Sequence, residues 1–232
     1  MDTASMSTRS RVTAVVLFSV AMAWMESATV AYLRTLFNRV EPYQTTPLPL
    51  GASFGATELV REAATIIILA VVGWLAGRSF RSRLGYFIVA FGVWDIFYYV
   101  FLRVIVGWPH SIFDWDVLFL IPLPWWGPVL SPVLISLILI AGGMLTIYFD
   151  ETGTVANGGL FTWFTCGIGV LLALYTFMAD AIRVIFSGSG TLQTLIPAEF
   201  NWPLFLFALI LMAAPVLQMS YALLERHTIQ II

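Results

Sequence analysis

The sequence predicts an all-α integral membrane protein, a bundle of about six transmembrane helices with a short interfacial or re-entrant segment in its third connection. Three observations lead there. Of 232 residues, 60% are hydrophobic and 10% charged, and the mean hydropathy of +0.92 lies far above that of a water-soluble domain. Six apolar runs, 12–36, 56–76, 84–106, 128–149, 160–186 and 202–224, each reach the roughly 20 residues that cross a hydrocarbon core of about 30 Å. Nine Trp, eight Tyr and 18 Phe supply rings suited to an aromatic belt at the membrane boundary.

The first run follows Arg9 and Arg11 and contains Ala21-Met22-Ala23, a pattern resembling a signal-peptide cleavage site. Apolar residues continue through Val30 and Leu33, so a retained first helix is expected. The second run is purely apolar only over 63–76, 14 residues or about 21 Å, so the turns carrying Glu58, Arg61 and Glu62 must enter the membrane. The third run carries Asp95, Tyr98, Tyr99 and Arg103. In the fourth, Gly142-Gly143 reads as helix packing, since no Lys-Ser/Thr follows to make a phosphate cradle. The fifth ends with Asp180 and Arg183.

The connections are too short to hold a soluble domain, which makes 1–232 a single polytopic membrane domain. The third connection, 107–127, is too apolar for a solvated loop. It is expected to lie on the membrane as a short helix over 114–121, ended by Pro122 and Pro124, with Trp108, Trp115, Trp125 and Trp126 at headgroup depth.

Arginines set the orientation, because positive residues stay on the cytoplasmic side. Arg9, Arg11, Arg78, Arg81, Arg83 and Arg226 fall on one side, against Arg39 in the opposite loops. A cell (cytoplasmic) membrane location with both termini cytoplasmic follows. In that frame Arg34, Glu58, Arg61, Glu62, Arg103, Asp180 and Arg183 occupy outer turns, Glu26 lies past the midpoint, Asp95 lies near mid-depth, and the inner half of every helix is free of ionisable residues.

Charges in hydrocarbon cost roughly 2.5–3.5 kcal/mol each on insertion scales, so these groups should face the bundle interior and find partners. The expected ligand-binding set is Glu26, Arg34, Glu58, Arg61, Glu62, Asp95, Tyr98, Tyr99, Arg103, Asp180 and Arg183. Glu58 and Glu62 share a helix face and repel unless a proton, a metal ion or an Arg lies between them. A divalent metal on Glu26, Glu58, Glu62 and Asp95, with His110 and Asp116 closing over it, is one candidate, although the Glu-x-x-His signature of di-iron bundles is absent. The plainer alternative is structural, with Glu58 and Arg61, and Asp180 and Arg183, pairing at three-residue spacing within their helices.

Several classes are excluded or disfavoured. No basic stripe exists to hold nucleic acid. His110 and His227, the two histidines, lie outside the apolar runs, which disfavours haem, and the chain contains no Lys for a retinal Schiff base. The lone Cys166 forms neither an internal disulfide nor a Cys-based metal site. No H-E-x-x-H or C-x-x-C occurs. What remains is an outward-facing site for a polar ligand, metal ion or lipid headgroup, in a chain whose partners are the bilayer and other membrane subunits or a second copy. A membrane-embedded enzyme acting on an outer-leaflet substrate and a proton-coupled transporter are the competing classes.

Overall fold

The structure, a computed structural model, describes residues 6–38, 41–42, 52–153, 159–188 and 199–229. Arg39, most of the first connection, residues 154–158 with Gly158, and most of the fifth connection lie outside the described residues, as do the side chains of Arg226 and His227. Six α-helices occur in the order α1 (Thr8–Leu36), α2 (Ala52–Ala76), α3 (Phe80–Val106), α4 (Leu130–Glu151), α5 (Leu160–Ser187) and α6 (Trp202–Ile229). All six are long and apolar enough to cross a membrane, as a multi-pass membrane protein requires.

α1 and α3 begin four residues before their apolar runs because polar caps extend them. Ser7 accepts from the Ser10 N–H at 3.2 Å, and Ser79 and Ser82 form a reciprocal capping box. α3 ends on Gly107, whose φ of 76° is the left-handed conformation that closes a helix C-terminus.

α3 is the central helix. It packs against α1, α2 and α4, while α4 packs on α6 and α6 on α5. The face of α1 turned inward repeats every four residues, Arg11, Val15, Ser19, Ala23, Ser27 and Ala31, and its small side chains let the α3 backbone approach. Ser27 Oγ donates to the Tyr98 carbonyl of α3 at 2.9 Å. α3 and α4 pack without room for a side chain at Gly143, where a Cβ would stand 2.7 Å from the Gly85 carbonyl oxygen. Large apolar side chains such as Leu17, Met25, Ile67, Leu75, Phe161 and Ile210 are exposed, while Ser19, Ser27, Ser131 and Ser136 are buried. That inversion suits a bundle surrounded by hydrocarbon.

The third connection differs from expectation. It is an antiparallel β-hairpin, β1 (Trp115–Phe119) paired with β2 (Trp125–Pro128), and no helix spans 114–121. The physical reason is visible in the residues. Trp-Asp-Val-Leu-Phe is a five-residue run of aromatic and branched side chains bounded by turn residues, too short for a helix and well suited to a strand. Pro128, which has no N–H, sits at the end of β2. Trp108 and Trp126 are buried in packed clusters rather than displayed at a boundary.

Candidate functional site

The pairings fix two ends of the bundle. At one end Arg11 of α1 donates to the Ala76 carbonyl closing α2 at 2.9 Å and forms an ion pair with Glu151 closing α4, so consecutive helices run antiparallel. Ser79 donates to Asp150 at 2.6 Å in the same region, and the Arg11 guanidinium lies 5.6 Å from the Tyr86 ring centroid. This corrects the expectation that the helices carry no ionisable residue in that half. Arg11 and Glu151 lie beyond the apolar runs but inside the helices, and Arg11 is buried.

At the other end, beneath the hairpin, stands the polar cluster. Arg61 of α2 is its hub: the guanidinium forms an ion pair with Glu26 of α1, and its Nε donates to Glu58 of its own helix at 2.8 Å. Thr65, one turn along, donates to Glu26 at 3.3 Å. Glu62 turns the other way, and both its carboxylate oxygens accept from the Leu120 N–H, at 3.1 and 3.0 Å. The like charges of Glu58 and Glu62 are thus separated by partners of two kinds, a guanidinium and a backbone amide. Asp95 of α3 accepts from Ser136 of α4 at 2.8 Å.

These side chains enclose a cavity of about 50 Å³ lined by Glu26, Arg61, Glu62, Asp95, Tyr98 and Tyr99, together with Thr65, Trp94 and the β1 residues Val117, Leu118 and Phe119. Three carboxyl groups and one guanidinium therefore border one space. Trp94 is buried, and its indole N–H has no hydrogen-bond partner among the described residues. A space of this size takes a few waters or one small ligand, since a water needs roughly 10–15 Å³ on this measure. The tyrosine rings meet edge to face with centroids 5.0 Å apart.

Other expected members stand elsewhere. Arg34 at the end of α1 pairs with Asp116 of β1 at 2.8 Å and lies 4.3 Å over the Trp108 ring, outside the cavity. Burial pushes the Asp116 carboxyl above the usual carboxylate range, while the Arg34 guanidinium and the Val117 N–H oppose that rise. Arg103 is exposed and donates to the Gly107 carbonyl, with His110 beside it at 3.3 Å. His110 also lies 3.4 Å from Glu41 and is exposed, so it does not close over the carboxylates. Asp180 and Arg183 pair with each other at 2.9 Å on α5, away from the cluster. Among the described residues no three His, Cys, Asp or Glu side chains gather in a metal-holding group.

Sequence reasoning missed Thr65, Trp94, Ser136 and the Leu120 amide. Thr65 carried a signal, since it follows Glu58 and Glu62 at seven and three residues and so shares their helix face. Ser136 carried a weaker one, a hydroxyl inside an apolar helix. Trp94 and Leu120 carried none, because only the hairpin brings the second of them to Glu62. Comparison with protein families, with curated proteins and with solved structures finds no match for this chain.

Proposed function

We propose that this multi-pass membrane protein binds a small polar ligand, neutral or cationic, in the cavity beneath the hairpin, and that the ligand enters from the side opposite the two termini. The observation carrying this reading is the shared cavity itself: Glu26, Glu62 and Asp95 face a single Arg61 across about 50 Å³, with Trp94 on the same wall. An anion would add charge to an acid-rich wall in a medium of low dielectric, where like charges repel strongly. A ligand that donates hydrogen bonds to the carboxylates complements that wall.

The arrangement of the polar groups favours binding over passage. Arg11 and Glu26 are 15 residues apart on α1, about 22 Å along the helix, and Val15, Ala23, Leu69, Val89 and Val93 form a buried apolar layer between the two polar ends. The arginine distribution supports placing the termini on the cytoplasmic side of a cell membrane.

The test is a thermal-shift panel on the purified full chain in mild detergent, comparing small amines and polyols with small carboxylates and phosphates. A stabilising amine or polyol whose effect vanishes in Asp95→Asn and in Glu62→Gln supports the reading. Stabilisation by anions alone, or shifts that both variants retain, would overturn it.

A further inference from the structure

A second and larger cavity, about 490 Å³, opens between α3, α4, α5 and α6 toward the end of the bundle that carries Arg11 and Glu151. Ligand sites commonly occupy roughly 300–1,000 Å³. Its walls are almost wholly apolar, formed by residues such as Ile88, Ile138, Val170 and Met212, and its charges are confined to one end, Arg81 of α3 and Asp150 of α4. Asp150 already accepts a hydrogen bond from Ser79 at 2.6 Å. Arg81 is exposed and makes no ion pair among the described residues. Along α4 the lining runs from Asp150 to Ile138, 12 residues or about 18 Å.

We propose that this groove holds one acyl chain of an anionic phospholipid whose phosphate is bound by Arg81. The shape and the charge pattern match that molecule at both ends: a long apolar trough for the chain, and at its mouth a guanidinium whose planar donors suit phosphate oxygens. A zwitterionic lipid brings the same chain, but its ammonium would have to share Asp150 with the Ser79 hydroxyl, whereas the phosphate of an anionic lipid meets Arg81 with no competing ion pair among the described residues. The lone thiol of the protein, Cys166, lies on the wall of the trough and reports its occupancy.

The full chain in nanodiscs of phosphatidylcholine, with and without phosphatidylglycerol, provides the test. Wild-type protein should release with one phosphatidylglycerol per chain in native mass spectrometry, and its Cys166 should be alkylated by N-ethylmaleimide more slowly when that lipid is present. Arg81→Gln should lower retention by about fivefold, the effect of losing one arginine near an anionic headgroup. Val170→Trp, at a half-exposed wall position, should lower retention equally while leaving Arg81 in place, which distinguishes a chain in the groove from attraction to the surface. Melting temperatures in detergent alone check that both variants fold. Unchanged retention in Val170→Trp, no preference for phosphatidylglycerol, or Cys166 protection that rises with protein concentration as a second copy docks would each overturn the proposal.

Discussion

Arg34, in the last turn of α1, meets Asp116 of β1 at 2.8 Å, and Asp116 is only 1% exposed. A strand outside the helices is thereby fastened to the first helix by a buried ion pair, with the guanidinium also stacked over Trp108. Removing one member of a buried pair strands the other, at a cost of about 3–5 kcal/mol. Arg34→Met should therefore lower stability by that order and accelerate amide exchange across β1. The double variant Arg34→Met with Asp116→Leu should recover a large part of the loss in detergent melting curves.

Glu62 offers a finer contrast. Both its oxygens accept from the Leu120 N–H, so Glu62→Leu leaves that half-buried amide without an acceptor, at about 1–2 kcal/mol. Glu62→Gln keeps one acceptor of the same reach and should cost about 1 kcal/mol or less. Protection of the Leu120 amide, followed by hydrogen exchange, should fall in the first variant and persist in the second.

Gly143 and Gly167 should respond in opposite directions. A Cβ at Gly143 would stand 2.7 Å from the Gly85 carbonyl oxygen, so Gly143→Val must push α4 off α3, with an expected loss of at least 1–3 kcal/mol, roughly the cost of core overpacking. A Cβ at Gly167 meets nothing within 4 Å, and Gly167→Ala should gain about 0.5–1 kcal/mol from helix propensity. Melting temperatures of the two variants in one detergent check the pair.

Arg11 joins three helices, pairing with Glu151 of α4 and donating to the Ala76 carbonyl of α2 at 2.9 Å. Arg11→Met should destabilise the bundle by about 1–3 kcal/mol, chiefly through the lost hydrogen bond to the Ala76 carbonyl, because Glu151 is exposed. Glu151→Gln alone should cost about 1 kcal/mol or less, and resistance to denaturant measures both.

Much of the helical framework was legible because a long apolar run has few other ways to satisfy its backbone in hydrocarbon. The ends were less so: Thr8–Arg11 and Phe80–Arg83 are helical yet polar, and the serine caps that extend them do not register as hydrophobic pattern. The cost of charges in lipid leads to the expected set Glu26, Glu58, Glu62 and Asp95; Glu26, Glu62 and Asp95 border one cavity with Arg61 while Glu58 does not line it, and Asp180 and Arg183 pair with each other on α5. Residues 114–121 read as helix because the run is apolar and is ended by Pro122 and Pro124. At five residues, periodicity could not separate the two conformations, and the β2 partner decided it.

The hairpin stands astride the molecule. β1 is tied to α1 through Asp116 and is continuous with the Leu120 amide held by α2, while β2 lays Trp125 parallel to Phe177 of α5, ring centroids 6.1 Å apart and planes 3° from coplanar. The roof of a chamber built from α1, α2 and α3 thus rests by one stacked ring on α5, and the two halves of the chain share one crossbar.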